Sequence, residues 1–173
     1  TLLLALLSNE IISYDIQKTK QNYRTQVSGA KFSDFALSED RKKVAVTDES
    51  GDIQIYDTTN GKKIKTLSGE NLDNVFQLSY KNGVIATAGQ DRRVAIYSTK
   101  LNSAYFKKSS FLVYSVGLSP SGKLAAYSSD EKNNITVFNT ATKSNIGKFT
   151  GNPITLSNII FIDENYFLVS SNS

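Results

Sequence analysis

The segment VAIYS, residues 94–98, has a β-branched residue, a variable position, an apolar residue, an aromatic residue and then a short polar residue. Three other segments share this form: IISYD (11–15), IQIYD (53–57) and ITVFN (135–139). Their alternation with a period of two is typical of a half-buried strand. The aromatic residues recur at intervals of 42, 41 and 41 residues, at Tyr14, Tyr56, Tyr97 and Phe138. The first segment differs slightly, because Ser13 stands where the others have Ile or Val.

A second marker keeps nearly the same spacing. Leu-Ser precedes a polar turn three times, in FALSED (35–40), FQLSYKNG (76–83) and VGLSPSGK (116–123). The leucines, Leu37, Leu78 and Leu118, lie 41 and 40 residues apart, and an apolar strand follows each turn. A weaker polar strand follows each aromatic segment. Four short strands in a period of about 41 residues, without a helical pattern, predict an all-β fold: a β-propeller of four-stranded antiparallel blades.

The predicted strands form a set of three, then three sets of four, then a final pair, which makes 17 strands. We expect one partial propeller domain over residues 1–173 that covers about four blades of a larger ring. The expected blade ends lie near residues 1–29, 30–70, 71–110, 111–153 and 154–173. Open blade edges would expose unpaired backbone groups, so self-association through these edges is a further expectation.

The composition removes several kinds of chemistry. The chain has no Cys and no His, which excludes thiolate or imidazole metal sites and nucleophiles activated by His. We therefore expect no catalytic residue, no metal site and no cofactor in this chain, and no enzymatic activity. The run TLLLALLS at the start is too short to span a bilayer, so no membrane span is expected. A net charge of +4 is too small a bias to favour nucleic-acid binding.

Three groups of acidic residues fall in predicted turns. Asp91 lies six residues before Tyr97, where a carboxylate commonly caps a turn between strands. Asp48, Glu49 and Asp52 form the second group, and Asp130 with Glu131 forms the third. Their spacing fits no calcium-binding loop, so we interpret them as residues of solvated turns.

A basic stretch is the one candidate binding site. Six basic residues and no acidic residue lie between Arg92 and Ser129. Arg92 and Arg93 fall in the turn between the second and third strands of a blade, and Lys107 and Lys108 end its fourth strand. These four side chains are expected on one rim, next to each other and without an acid nearby, whereas Lys100 and Lys123 map to the opposite rim. Such a cluster would attract an acidic protein surface, although charged loop residues are also typical of a solvated rim.

The repeat resembles the WD-repeat family over essentially the whole chain. Tyr14-Asp15 and Tyr56-Asp57 stand where that family has Trp-Asp, and SPSGK (119–123) and AGQDRRVAIY (88–97) resemble its turns. The chain departs from the family in lacking its Gly-His pair and every Trp, so the family's Asp-His-Ser/Thr-Trp hydrogen-bond network cannot form. The resemblance implies a non-catalytic scaffold that binds a protein partner.

Two stretches, GQDRR (89–93) and GLSPSGKLAAYSSD (117–130), also resemble bacterial WD-like accessory proteins of the periplasmic nitrate reductase system. That resemblance implies a role in maturing or assembling the reductase and a periplasmic location, with the cytoplasm as the alternative. The alternative function is a propeller enzyme or cofactor-binding protein whose active residues lie in blades outside this chain.

Overall fold

The computed structural model describes residues 1–6, 8–27, 29–129 and 132–171. These residues form seventeen strands in antiparallel sheets of two to four strands, and they contain no helix. The all-β prediction is therefore confirmed. Across these described ranges, no helix is long and apolar enough to cross a membrane.

The first sheet has three strands in the order β1-β2-β3, which are β1 (Leu2–Leu6), β2 (Glu10–Asp15) and β3 (Lys20–Gln26). Three four-stranded sheets follow, each with its strands in chain order. The second sheet consists of β4 (Phe32–Leu37), β5 (Lys43–Asp48), β6 (Ile53–Asp57) and β7 (Lys63–Leu67). The third consists of β8 (Val75–Lys81), β9 (Val84–Gly89), β10 (Arg93–Ser98) and β11 (Ser103–Lys108).

The fourth sheet consists of β12 (Ser115–Leu118), β13 (Leu124–Ser128), β14 (Ile135–Asn139) and β15 (Asn145–Phe149). The fifth is a hairpin of β16 (Leu156–Phe161) and β17 (Phe167–Ser171). The predicted grouping of three, four, four, four and two strands agrees with these sheets. Four-stranded sheets of this order are consistent with blades.

Turn residues explain why neighbouring strands fold back as hairpins. Asn82 and Gly83 join β8 to β9 and have φ angles of 47° and 77°. A two-residue turn with both φ angles positive has the twist that antiparallel strands need, and Asn-Gly adopts it at low cost. The apolar third strands then lie between two flanking strands, where their side chains are buried on both faces.

The core lies between the sheets. Ile53 and Ile55 of the second sheet pack against Leu78 and Ile85 of the third. Burying an aliphatic side chain of this size contributes about 1.5–3 kcal/mol to stability. On the next face along, Val94 and Ile96 pack with residues of the fourth sheet, as their alternation in the sequence predicts. Each internal sheet therefore buries both of its faces against neighbouring sheets.

The strands β4, β8, β12 and β16 lie next to one another in chain order, and we call them the inner strands. A polar side chain of one inner strand accepts a hydrogen bond from a backbone N–H of the next. These pairs are Asp34–Leu78 at 2.8 Å, Gln77–Val116 at 2.9 Å and Ser79–Leu118 at 3.2 Å. Gln77 also donates through Nε2 to Oδ1 of Asn158 on β16, at 2.8 Å, which joins the third sheet to the fifth.

The strand register corrects one sequence alignment. Leu37 pairs with Val44, and Leu118 pairs with Ala125. In each four-stranded sheet, one residue of the second strand pairs with the aromatic residue of the third strand: Val44, Ile85 and Ala125. In the third sheet the first-strand partner of Ile85 is Tyr80, so Tyr80 is the equivalent of Leu37 and Leu118. Leu78 lies two residues earlier. The predicted equivalence of Leu78 with the other two leucines is therefore wrong.

Candidate partner-binding rim

The turns between second and third strands and the links between sheets lie at one edge of the sheets, which we call the first rim. Around the third sheet it consists of residues 68–74, 90–92 and 109–114. The strand pairing of Arg93 with Lys108 places the end of β11 beside the start of β10, at this rim. The structure therefore places Arg92, Arg93 and Lys108 at the edge where the sequence predicts them.

Arg92 and Gln90 are the exposed residues of the tight turn between β9 and β10. The φ angle of Arg92 is 62°, in the left-handed region that residues other than Gly seldom adopt. The Arg92 carbonyl accepts a 2.8 Å hydrogen bond from the backbone N–H of Ser109. This hydrogen bond from the link 109–114 holds the Arg92 backbone in the left-handed conformation, and the Arg92 side chain is exposed.

Arg93 makes several contacts within the protein. Its guanidinium carbon lies 3.9 Å from the centroid of the Phe106 ring, and its Nη1 donates to the carbonyl of Glu70 at 2.9 Å. Its Nε lies 3.9 Å from a carboxylate oxygen of Asp91, and only 15% of its side chain is exposed. The expectation that no acid lies nearby is therefore wrong for Arg93.

Lys107 and Lys108 point to opposite faces of β11, because consecutive side chains of a strand alternate. Lys108 shares a face with Arg93 and is exposed. The Nζ of Lys107 instead donates to the carbonyl of Lys143 at 2.8 Å and to Asn145 at 2.7 Å, and it lies 4.6 Å from the centroid of the Phe138 ring. Burial lowers the pKa of Lys107. The predicted cluster of four therefore contains three neighbours, Arg92, Arg93 and Lys108, and Lys107 is separated from them. Whether these residues bind a partner stays a prediction.

Asp91 organises the turn beneath these residues. Its carboxylate accepts hydrogen bonds from the backbone N–H of Leu72 at 2.8 Å and from that of Arg93 at 3.1 Å. The Asn71 amide lies 3.4 Å from the same carboxylate and accepts a hydrogen bond from the Thr87 hydroxyl through its own oxygen. The turn-capping role predicted for Asp91 is confirmed.

Asn71 is a residue that the sequence pattern does not reveal. Its amide joins the carboxylate of Asp91 to the hydroxyl of Thr87 in the third sheet, in a chain that lacks the His of the expected network. Asn can take the place of His in such a network because its amide donates one hydrogen bond and accepts another, as the two nitrogens of a neutral imidazole do. It lies in the link 68–74, which has no repeating pattern in the sequence, so spacing gave no signal for it.

Backbone hydrogen bonds tie the three segments of this rim together. The N–H of Gln90 donates to Asn74 at 2.8 Å, and the N–H of Val113 donates to Gly89 at 3.3 Å. Two apolar side chains extend from the links on either side of the turn: Leu72 is 66% exposed and Phe111 is 38% exposed. The three segments of the first rim that carry Leu72, Arg92 and Phe111 are thus joined by backbone hydrogen bonds, and all three side chains are exposed.

A cavity of about 420 Å³ opens on the same rim. Phe111 and Tyr114 line one side of it, and Pro153 and Ile154 line another. The Tyr114 ring is stacked on Phe76, with centroids 5.5 Å apart and planes 18° apart. Aromatic and aliphatic walls of this kind suit an apolar side chain of a partner.

The other acidic groups lie elsewhere. Asp48 is buried and accepts hydrogen bonds from the backbone and the hydroxyl of Ser50. Burial and the charge of Asp48 raise the pKa of Asp52, whereas Glu49 is exposed and lies 3.9 Å from Lys31. Asp130 and Glu131 lie outside the described residues. Within the part of the chain that is described, no three acidic residues form a group that could hold a metal ion.

No protein-family model matches the chain, and no curated protein matches it either.

Proposed function

We propose that the chain forms part of a β-propeller and acts as a non-catalytic scaffold, which presents the first rim around Arg92 to a protein partner with an acidic surface. The observation that carries the proposal is the fixed arrangement of Leu72, Arg92 and Phe111 on three segments joined by hydrogen bonds. A preorganised surface loses little conformational entropy when a partner binds.

The order of the inner strands supports a propeller. Each four-stranded sheet has its first strand beside the first strand of the next sheet, so the sheets follow one another around a common line. Large apolar side chains fill the space between consecutive sheets. Stacking of repeated units against their nearest neighbours is how such arrays bury a continuous core.

The chemistry of the rim supports an acidic partner. Arg92 and Lys108 are exposed cations on one rim, which around the third sheet also carries the exposed carboxylate of Asp73, while the carboxylate of Asp91 is turned inward and accepts backbone hydrogen bonds. Arg and aromatic residues are the types that contribute most to binding at protein interfaces. The exposed charges are expected to raise the association rate more than the affinity.

Site-directed crosslinking tests the proposal. A photoreactive residue at position 92 should capture a partner from an extract of the source cells, whereas one at position 100, on the opposite rim, should not. With the captured partner purified, the double variant Arg92→Glu/Lys108→Glu should lower the association rate at least tenfold. The matched control Lys100→Glu/Lys123→Glu makes the same change of charge on the other rim. Equal loss in both variants would contradict a binding site at the first rim.

The resemblance to accessory proteins of the periplasmic nitrate reductase system suggests one partner, and we propose that reductase as the first to be tested. Purified catalytic subunit is mixed with the chain, and binding is measured with and without the two reversed charges. Binding that is lost only in the first-rim variant supports this choice. If no complex forms, the reductase is not the partner, and the scaffold proposal is tested on the crosslinked protein instead.

A further inference from the structure

The edge of the sheets opposite the first rim has no part in the proposed function, and we call it the second rim. It consists of the turns between first and second strands and between third and fourth strands. These turns are residues 82–83 and 99–102 in the third sheet and residues 119–123 and 140–144 in the fourth. The Nδ2 of Asn82 donates to the carbonyl of Ser121 at 2.9 Å. The Tyr105 hydroxyl donates to the carbonyl of Thr140 at 2.6 Å, so the second rim is one continuous surface across these two sheets.

Leu101 is an exposed apolar residue at the tip of a second-rim turn. It is 79% exposed, more than any other large apolar residue in the described part of the chain. Counted from the aromatic residue of the third strand, the same turn position holds Lys18, Asn60 and Thr142 in the other copies. Those three residues are polar, as is typical of a turn in water. Leu101 thus departs from the repeat, and covering it from water is favourable.

A groove with mostly apolar walls lies beside Leu101. It has a volume of about 300 Å³ and opens between the third and fourth sheets. Val84, Ile96 and Tyr105 line it on the third sheet, and Lys143 lines it on the fourth. The walls suit an apolar chain, and the exposed Lys143 adds a cation.

The side chain of Lys143 distinguishes the fourth-sheet turn from the equivalent turn of the second sheet. Lys143 and Gly61 occupy the same position, with φ angles of 65° and 72°. A Cβ added to Gly61 would lie 2.6 Å from the ring of Tyr23, so that turn lies directly against the preceding sheet. The Nζ of Lys143 instead lies 4.5 Å from the centroid of the Tyr105 ring. The Lys143 side chain therefore lies between the fourth-sheet turn and the third sheet, at the groove.

The second-rim turns of the third and fourth sheets are basic. They hold three exposed lysines and no acidic residue: Lys100, Lys123 and Lys143. Carboxylates lie at the flanking turns of the second and fifth sheets. Glu39 is exposed, and four others accept backbone N–H groups of turns: Asp40, Asp57, Asp163 and Glu164. The positive charge is thus concentrated around Leu101 and the groove.

From these observations we infer that the second rim of the third and fourth sheets docks on a lipid bilayer that has anionic headgroups. Leu101 enters the apolar layer, and Lys100 and Lys143 contact the headgroup phosphates. Apolar insertion and the attraction of lysines to an anionic surface are the two contributions that hold a protein at a membrane interface. One leucine and a few lysines give weak, reversible binding. The inference is independent of the partner at the first rim.

The chemistry of these turns favours a bilayer over a nucleic acid. The turns contain no Arg and no aromatic residue, the residue types that bind phosphates bidentately and stack on bases. Lysine is a compact charge on a flexible stem, which suits a fluid layer of headgroups. Acyl chains are the complement of an exposed leucine beside an apolar groove.

A single tryptophan tests the insertion of the turn. The chain contains no Trp, so Leu101→Trp introduces one reporter whose emission depends on its surroundings. With vesicles of phosphatidylcholine and phosphatidylglycerol, the emission should shift to shorter wavelength and be quenched by brominated acyl chains. Vesicles of phosphatidylcholine alone should cause neither change. Gln90→Trp, at an exposed residue on the opposite rim of the same sheet, is the matched control and should not respond.

Charge reversal tests the lysines, with sedimentation of the mixed vesicles as the measure of binding. Lys100→Glu/Lys143→Glu should weaken binding at least about tenfold. Lys31→Glu/Lys132→Glu makes the same change of net charge at exposed lysines of the first rim and should weaken it by less than about threefold. Leu101→Ser should weaken binding about tenfold, because the inserted leucine is lost. Binding of the wild type should fall as salt is added.

The inference is overturned if the wild type does not bind the mixed vesicles, or if the two double variants lose binding equally. It is also overturned if Leu101→Ser has no effect, or if Leu101→Trp and Gln90→Trp respond alike. A single-stranded oligonucleotide is the competing ligand. If it binds through Lys100 and Lys143 and the vesicles do not bind, the second rim is a nucleic-acid surface instead. None of these outcomes changes the proposal for the first rim, which is tested by its own crosslinks.

Discussion

The guanidinium carbon of Arg93 lies over the ring of Phe106, 3.9 Å from its centroid, and this cation–π contact joins two strands of one sheet. The two residues lie diagonally across β10 and β11, since Ala95 is the direct partner of Phe106. Adjacent arginines at the same turn therefore have different roles. Arg93 stabilises the sheet, and Arg92 extends from it.

Arg93→Ala should lower the free energy of unfolding by about 1–2 kcal/mol, because it removes a cation–π contact and the hydrogen bond to Glu70, each of which contributes about 0.5–1.5 kcal/mol. Arg92→Ala should change it by less than about 0.5 kcal/mol, since the Arg92 side chain is exposed. Urea denaturation followed by circular dichroism measures both. Similar losses in the two variants would show that the structural role is wrongly assigned.

Asp91→Ala should be more damaging, by about 2–3 kcal/mol, because it leaves the N–H groups of Leu72 and Arg93 without their acceptor in a largely buried turn. The link 68–74 should also lose protection, which hydrogen exchange at Leu72 would report. Glu39→Ala, at an exposed turn on the opposite rim, is the control and should be close to neutral. Unchanged exchange at Leu72 would argue against the proposed organisation of the rim.

Asp34 makes the stability depend on pH. Burial raises the pKa of its carboxyl, and the hydrogen bonds from the backbone of Leu78 and Phe35 only partly oppose this. A raised pKa in the folded protein means that this group's favourable contribution is fully present below the unfolded pKa of 3.8 and is lost as pH rises through the folded pKa. Asp34→Asn keeps an acceptor for Leu78 but does not titrate. The wild type's free energy of unfolding relative to that of Asp34→Asn should therefore fall as pH rises from about 3 to about 7.

Chemical denaturation of both proteins at several pH values gives this difference directly. Other carboxylates have lowered pKa values, among them Asp40 and Asp57, and they change stability in the opposite direction. They are common to both proteins, so their effects cancel in the comparison. A difference that rises with pH would mean that the Asp34 pKa is lowered by folding.

Gly117→Ala should destabilise the interface between the fourth and fifth sheets by about 1–3 kcal/mol, because the added Cβ would overlap the backbone of Ile159. Gly147→Ala is the matched control on a strand of the same sheet, where the nearest atoms to an added Cβ belong to the Phe149 ring at 3.5 Å or more. That variant should be neutral or slightly stabilising. Thermal unfolding of both variants compares the two positions.

The repeated spacing made the strands predictable from the sequence. The pairing register of individual strands was not predictable, because it depends on the length of each turn. The sequence predicts a weaker polar strand after the aromatic segment VAIYS (94–98), and β11, Ser103–Lys108, is that strand. The alignment of Leu78 is two residues out because β8 and β9 are joined by a two-residue turn, whereas the turn between Leu118 and Ala125 is longer. Register in a hairpin depends on its turn, which a repeat averaged over several copies does not specify.

The candidate site was predictable only in part. Spacing along the chain placed Arg92 and Lys108 on one rim, but the grouping with Lys107 ignored the alternation of side chains along a strand. The partners of Arg93 lie in a different strand and in a link between sheets, so they depend on tertiary packing. The same holds for Asn71, whose link has no counterpart at a fixed spacing.

The hydrogen bond from Gln77 to Asn158 has a consequence for cooperativity. An array in which every sheet contacts only its neighbours can lose its end units one at a time, because each interface fails independently. This bond passes over the fourth sheet and adds a direct coupling between the third and the fifth. Opening of the β16–β17 hairpin therefore removes a hydrogen-bond partner from Gln77, which also accepts the N–H of Val116. This side-chain contact is the feature by which the third, fourth and fifth sheets would open together more often than independent neighbours would.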